Sequence, residues 1–224
     1  MKNKSVSTLI LVALALTGLS LTSSAQPGSV KAKTNKEYKE QLFNGSDLTN
    51  WIFCLRDASV DPAQVFSARD GVIHIAGNPF GYMRTKESYS DYRLHLEYRW
   101  PVEATNSGVF IHTQRPDTIW PQCIECQLSA GNAGDFICMN GADMNERTDK
   151  SNIVLKKLET SSEKPVEEWN IMEVSCIANT IEVYVNGVLQ NKGTGVSVNK
   201  GHICLQSEGK EIEFRNVYLT KLKK

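Results

Sequence analysis

The sequence predicts an all-β protein built as a two-sheet jelly-roll β-sandwich, and three observations lead there. Past Leu42 apolar and polar residues alternate with period two almost everywhere, in short runs rich in Val, Ile, Phe and Tyr. These runs are bounded by Gly, Asn, Asp or Pro, the residues that close strands and shape turns. No stretch carries the 3.6-residue periodicity of a long amphipathic helix, so about ten or more short strands must find their partners in two packed sheets.

In chain order, the first segment is not part of the sandwich. Lys2 and Lys4 precede the apolar stretch Leu9 to Leu21, and Ser23-Ser24-Ala25 supplies the small residues of a cleavage site. Met1 to Ala25 therefore reads as a cleaved secretory leader, and the expected location is periplasmic or secreted. No later segment reaches the roughly 20 apolar residues of a membrane helix, so no span is expected. Loss of Lys2 and Lys4 with the leader leaves 23 basic against 25 acidic side chains. That balance argues against nucleic acid or an anionic membrane as partner. Residues 26–40 are polar and non-periodic and read as a flexible lead-in, which leaves 41–224 as one sandwich domain.

Within the domain, alternation assigns side chains to faces. In YRLHLEYRW, Leu94, Leu96 and Tyr98 point inward, while Arg93, His95, Glu97 and Arg99 point out. In SGVFIHTQ, Val109 and Ile111 point in, while Phe110, His112 and Gln114 point out. In HICLQSE, Ile203 and Leu205 point in, while His202, Cys204, Gln206 and Glu208 point out. The run IMEVSCIANTIEVYVNGVLQ, with turn chemistry at Ala178-Asn179-Thr180 and Asn186-Gly187, predicts a hairpin or meander. Asn140 to Glu168 carries no strand signal and reads as a long loop with one helical turn around VLKKL; long loops in compact domains are often functional.

The Cys-x-x-C at Cys123 and Cys126 suggests a metal or redox site, but alternation speaks against one. Ile124, Cys126 and Leu128 form the inward set, so Cys123, Glu125 and Gln127 face the other way. Two sulfurs on opposite faces of a strand cannot share a metal or an ordinary disulfide. Cys126 is expected to act as a small core hydrophobe, and Cys123 to pair with Cys138 if the hairpin register sets them opposite. Acids in the long loop, Asp143, Glu146 and Asp149 with Asn145, offer a calcium site or simply a solvated loop.

What remains is a set of polar groups expected on outer faces: Arg84, Glu97, Arg99, His112, Glu125, Gln127, Gln206 and Glu208, beside Tyr82, Phe110 and Trp120. Carboxylates and amides bond to sugar hydroxyls, aromatic faces stack on pyranose rings, and a carboxyl of shifted pKa serves as acid or base.

Seven segments occur in one order: LFNGSDLTNW, GYMRTKESYSDYRLHLEYRW, NSGVFIH, the E-C-Q strand, EEWN, YVNGVLQ and GHICLQSEGKEIEFRNVYL. Together they resemble the 3-keto-disaccharide hydrolase domain family, of concanavalin A-like lectin/glucanase fold, from about Gln41 to Leu222. The resemblance implies action on glycosides whose C3 hydroxyl a separate sugar 3-dehydrogenase has oxidised. A C3 ketone acidifies the C2 proton, so a base can remove it and the enolate can expel the C1 substituent. The same resemblance puts Glu125 forward as acid/base and Gln127 as a substrate ligand, with Asn106, Arg84, His112 and Gln206 lining the same face. Taken with the outward set, the expected catalytic residues are Glu125, His112 and Glu97, and the expected substrate-binding residues are Gln127, Arg84, Asn106, Trp120, Gln206 and Glu208. The resemblance implies no nicotinamide for this chain, and it leaves room for a divalent cation. Family members often carry Arg at the position of His112 and His at that of Glu208. The E-x-D-x-E strand of laminarinase-type glucanases is absent, since Gln127 takes the place of the Asp; this disfavours ordinary glycoside hydrolysis. A non-catalytic, lectin-like carbohydrate-binding module is the alternative from another class.

Overall fold

A computed structural model describes residues 38–222. The leader and most of the lead-in lie outside them. Fifteen strands follow in chain order: β1 (Lys39–Gln41), β2 (Trp51–Leu55), β3 (Phe66–Arg69), β4 (Val72–Ile75), β5 (Gly81–Thr85), β6 (Tyr92–Arg99), β7 (Gly108–Thr113), β8 (Cys123–Gln127), β9 (Phe136–Met139), β10 (Val154–Leu155), β11 (Asn170–Ile177), β12 (Thr180–Val185), β13 (Val188–Gly193), β14 (His202–Ser207) and β15 (Ile212–Lys221). One short 3-10 turn, Pro62–Gln64, is capped by the Asp61 carboxylate. No helix among the described residues is long and apolar enough to cross a membrane.

The strands form two antiparallel sheets. The first runs β13-β12-β11-β6-β15-β4-β3, with β1 pairing to β15, and the second runs β10-β9-β8-β7-β14-β5-β2. The jelly roll expected from alternation is the fold observed. Ile73, Leu94, Leu96, Tyr98, Val174, Val183 and Phe214 of the first sheet meet Met83, Val109, Ile111, Ile124, Cys126, Phe136 and Leu205 of the second in one buried core. Burying such a side chain is worth about 1.5–3 kcal/mol, so the inward set of each strand fixes its register. The β11–β12–β13 meander also matches expectation. Its second turn is Asn186-Gly187, both at positive φ, the backbone that a two-residue hairpin of this hand requires.

Four expectations are corrected. The flexible lead-in ends earlier than residue 40, because Lys39–Gln41 pairs with Tyr218–Thr220. The VLKKL segment forms no helical turn; Val154 and Leu155 instead pair with Ile137 and Phe136 at a sheet edge. Cys123 and Cys138 are not opposed, since Cys123 faces Met139 while Cys138 faces Ile124, and all six cysteines are free thiols. Cys123 and Cys126 do lie on opposite faces, Cys126 in the core between the sheets and Cys123 in a second apolar cluster outside it.

The fourth concerns His112. Between β14 and β7 the register passes from His202 opposite Thr113 to Cys204 opposite Phe110, two steps on one strand against three on the other. The extra residue is a β-bulge, and His112 takes φ +55° there. Alternation breaks, and the imidazole turns into the interior. Its Nδ1 lies 2.9 Å from the Val198 carbonyl and its ring packs edge-on to Tyr92 at 5.7 Å. Burial lowers its pKa to about 4, so it is neutral at ordinary pH.

The acids of the long loop are engaged one by one and do not converge. Asp143 takes Lys150 and Arg147, Glu146 accepts from Thr194, and Asp149 accepts from Ser151.

Candidate active site

The candidate site is built on the outer face of the second sheet. One cross-strand row runs Ile52, Arg84, Cys204, Phe110, Glu125 and Ile137, each paired directly with the next. The adjoining row holds Cys54, Tyr82 and Gln206 on one side, and Gly108 opposite Gln127 on the other. Asn106 precedes Gly108 by two residues and Glu208 follows Gln206 by two, so both continue that face beyond the strand ends.

Gly108 makes room for Glu125. A Cβ at Gly108 would stand 2.0 Å from Glu125 Oε1, so the carboxyl lies over the bare glycine Cα. Glu125 is 4% exposed. Burial raises its pKa to about 8, and the negative charge of Glu208 adds to the effect. At neutral pH this carboxyl is predominantly protonated, which makes it a proton donor.

Glu208 is less deeply placed. Burial raises its pKa as well, while hydrogen bonds with Asn106 and Gln206 and the charge of Arg56 pull the other way. Gln206 Nε2 donates to Glu208 Oε2 at 2.9 Å, which turns the amide oxygen of Gln206 elsewhere. That oxygen and Asn106 Oδ1 are buried acceptors without a partner among the described residues. Buried polar atoms are normally satisfied. Two carboxyls and two free amide oxygens form an oxygen-rich set that suits sugar hydroxyls, and the same donor type would suit a hard divalent cation.

A loop closes one side of this face. Residues 114–122 are strapped down by Tyr82, whose hydroxyl donates to the Thr118 carbonyl at 2.9 Å. Arg84 adds a two-pronged bond to Asp117 at 2.8 and 3.0 Å, and Arg115 also reaches Asp117. Beneath the loop Tyr82, Phe110, Cys123 and Cys204 form the second apolar cluster. Trp120, 46% exposed, packs on Phe80 with ring centroids 4.6 Å apart. Arg56 lies 4.8 Å over the other aromatic of this lip, Phe80.

The structure therefore sorts the predicted residues. Glu125, Gln206, Glu208, Asn106 and Gln127 share the face, with Trp120 on the loop beside it. Gln127 is partly committed, because its Oε1 accepts from the backbone N–H groups of Leu128 and Ser129. Arg84 is on the face but spends its guanidinium on Asp117 and the Thr85 carbonyl, so it anchors the loop and does not offer itself to a substrate. His112 is inside the sandwich. Glu97 is on the other sheet altogether, on β6, bonded to Arg215 and Asn216 at 2.7 Å each. Sequence reasoning missed Arg56, Phe80 and Gly108. Only Gly108 left a trace, as a glycine inside a strand pattern, which marks close approach.

No curated protein sequence matches the chain. Among solved structures, a protein named as a candidate glycosyl hydrolase from Parabacteroides distasonis is 22% identical, with 83% of this chain and 100% of that chain covered and a TM-score of 0.60. The carbohydrate-binding module CBM66 from Bacillus subtilis is 9% identical over 77% of this chain and 96% of its own, with a TM-score of 0.58. The β-glucanase of Bacillus licheniformis is 12% identical over 85% and 100%, with a TM-score of 0.55. At these identities the likeness is one of fold, the jelly roll of carbohydrate-active proteins. The family is shown by residues 39–220, which match the model of the 3-keto-alpha-glucoside-1,2-lyase-like domain. The ordered segments of the sequence and the sandwich they fold into thus place the chain in the 3-keto-alpha-glucoside-1,2-lyase-like domain family.

Proposed function

We propose that the protein is an exported enzyme that cleaves 3-keto glycosides by elimination, with Glu125 as general acid and Glu208 as general base. The observation that carries this reading is a pair of carboxyls with different environments on one face. Glu125 is buried over Gly108 with its pKa raised to about 8, and Glu208 is held by two amides nearer the surface. A buried carboxyl that holds its proton, beside a less buried one bonded to two amides, is suited to divided acid and base roles.

In the proposed step the Glu208 carboxylate removes the C2 proton beside the C3 ketone. The C–H electron pair becomes the enolate, the C1–O bond breaks, and the Glu125 proton passes to the leaving oxygen. The products are a 1,2-unsaturated 3-keto sugar and the freed alcohol, with Glu208 now protonated and Glu125 ionised. Addition of water across C1 and C2 with the reverse proton movements yields the 3-keto sugar and restores both groups. Asn106 and Gln206 would accept from sugar hydroxyls with their free oxygens, and the Trp120–Phe80 lip offers a face for a pyranose ring. The ketone itself must come from a separate sugar 3-dehydrogenase, because elimination and hydration make no net redox change and leave the C3 ketone as they found it.

Incubation of the purified protein with 3-keto-trehalose or an aryl 3-keto-glucoside, following release of the leaving alcohol, tests the reading. Release is expected from the wild type and not from Glu125→Gln. Release from unmodified laminarin but not from the keto sugars would point to ordinary hydrolysis. Calorimetric binding of an unoxidised sugar without any turnover would point to a binding module. Export is tested by mass spectrometry of the N-terminus of the protein recovered outside the cytoplasm, where Gln26 is the expected first residue.

A further inference from the structure

A second constellation of ligating side chains lies on the outer face of the first sheet. His74 on β4 and Glu213 on β15 are directly opposed in register, and Glu211 precedes Glu213 by two residues. His74 Nδ1 stands 3.0 Å from Glu213 Oε1 and 3.6 Å from Glu211 Oε1. One ligand atom from each of the three lies within 4.8 Å of the others. The side chains of His74 and Glu213 are 12% and 6% exposed, and that of Glu211 is 45% exposed.

Zinc bonds imidazole nitrogen and carboxylate oxygen at about 2.0–2.2 Å, which puts neighbouring ligand atoms of a tetrahedral ion about 3.3 Å apart. The separations of His74 Nδ1 from the two carboxylate oxygens bracket that value, and the two oxygens lie within 4.8 Å of each other. Unlike groups also meet at one nitrogen. Arg69 Nη2 lies 3.3 Å from His74 Nδ1, and a guanidinium can only donate, so it asks Nδ1 for a lone pair. Glu213 and Glu211 are acceptors and ask the same nitrogen for a proton. A metal ion resolves the conflict: it takes the lone pair of Nδ1 and the oxygens of both carboxylates, and the exposed Arg69 turns to solvent. Arg99 already bonds the other oxygen of Glu213 at 2.5 Å, an outer partner of the kind that orients a metal-binding carboxylate.

We propose that His74, Glu211 and Glu213 bind a divalent transition metal of the zinc type, with solvent completing its coordination. Glu211 ends the short turn that begins at Glu208, so the ion would fasten one end of the segment whose other end reaches the candidate active site. Lys210 N donating to Thr105 Oγ1 at 2.9 Å already holds the middle of this turn.

The test is titration of chelator-treated full-length protein with Zn(II) by calorimetry and with Co(II) by visible absorption. The expected result is one ion per chain, a raised Tm, and at least a tenfold loss of affinity in both Glu211→Gln and His74→Gln. The cobalt spectrum should lack a thiolate charge-transfer band. Should His74→Gln fail to fold, Glu211→Gln still decides, because that side chain is half-exposed. Absence of saturable binding, unchanged affinity in Glu211→Gln, or a thiolate band placing the ion on the cysteines would each overturn the proposal.

Discussion

The two outer faces of the sandwich carry similar residues in opposite electrostatic states. On the first sheet nearly every charge has an answering one. Glu97 meets Arg215 and Asn216, Arg99 meets Glu213, and Lys192 meets Glu182 at 2.8 Å. Trp169 lies under two guanidinium groups, 4.7 Å from Arg99 and 4.0 Å from Arg215. Burial would raise the pKa of Glu97, but hydrogen bonds from Asn216 and Arg215 outweigh it and hold the carboxyl below its ordinary value. On the second sheet Glu125 has no such partner, and burial with a like charge beside it drives its pKa the other way, to about 8. Gln206 and Asn106 keep acceptors that no group among the described residues fills. Paired charges are a stable surface, whereas a buried carboxyl that must hold its proton is costly to ionise and points to chemistry.

The largest expected effect separates these faces. Glu125→Gln should lower turnover of a 3-keto glycoside by about 10²–10⁴-fold, the usual worth of a positioned acid, with binding of the substrate largely kept. The same substitution should stabilise the fold at neutral and alkaline pH. The folded carboxyl keeps its proton up to about pH 8 while the unfolded one releases it near 4.5, so wild-type stability falls as pH rises through that window. Denaturant unfolding at several pH values should show the variant gaining on the wild type across it, by an amount on the order of a few kcal/mol at the upper end. A variant that loses stability there would remove the argument that Glu125 is held protonated.

Glu208→Gln should cost about 10²-fold in turnover and lower the pKa of Glu125 by removing the neighbouring charge. In the pH–rate profile the wild type should lose activity above about pH 8 as Glu125 ionises. The residual activity of the variant should fall at lower pH than this. An alkaline limb that stays in place would separate Glu208 from Glu125.

Gly108→Ala probes the cradle. The new methyl would meet the end of a flexible carboxyl side chain, so the fold should persist while Glu125 is displaced. Turnover should fall about tenfold or more with Tm shifted by only a few degrees. Wild-type kinetics in Gly108→Ala would mean that the position of Glu125 over the glycine is immaterial.

The smallest effect belongs to the paired face. Glu97→Gln should change turnover less than twofold and cost no more than about 1 kcal/mol of stability, as for a partly exposed ion pair. A hundredfold loss of activity would return Glu97 to the catalytic set and undo the contrast between the sheets.

Much of this was legible in the sequence. Period-two alternation foretold the inward sets Leu94–Leu96–Tyr98 and Val109–Ile111, and the opposite faces of Cys123 and Cys126, because alternation is a local property of the extended chain. It also put Glu125, Gln206 and Glu208 on outer faces. It failed at His112, where one extra residue on β7 turns the imidazole inward, since a bulge is defined by the partner strand. It failed at Glu97 in a different way. The side chain does point outward, but pairing with β11 and β15 places β6 in the other sheet.

By itself, then, the sequence determined the fold class, the strands, their inward faces and, through seven ordered segments, the family. Only the tertiary structure decided which outward groups meet. It brought β8 beside β7, strapped the 114–122 loop over their outer face, set Glu208 near the Glu125 carboxyl across more than 60 residues of chain, and set Arg56 near Glu208. The pKa of Glu125 is a property of that enclosure, because desolvation depends on everything that keeps water away from the group and not on the residues adjacent in the chain.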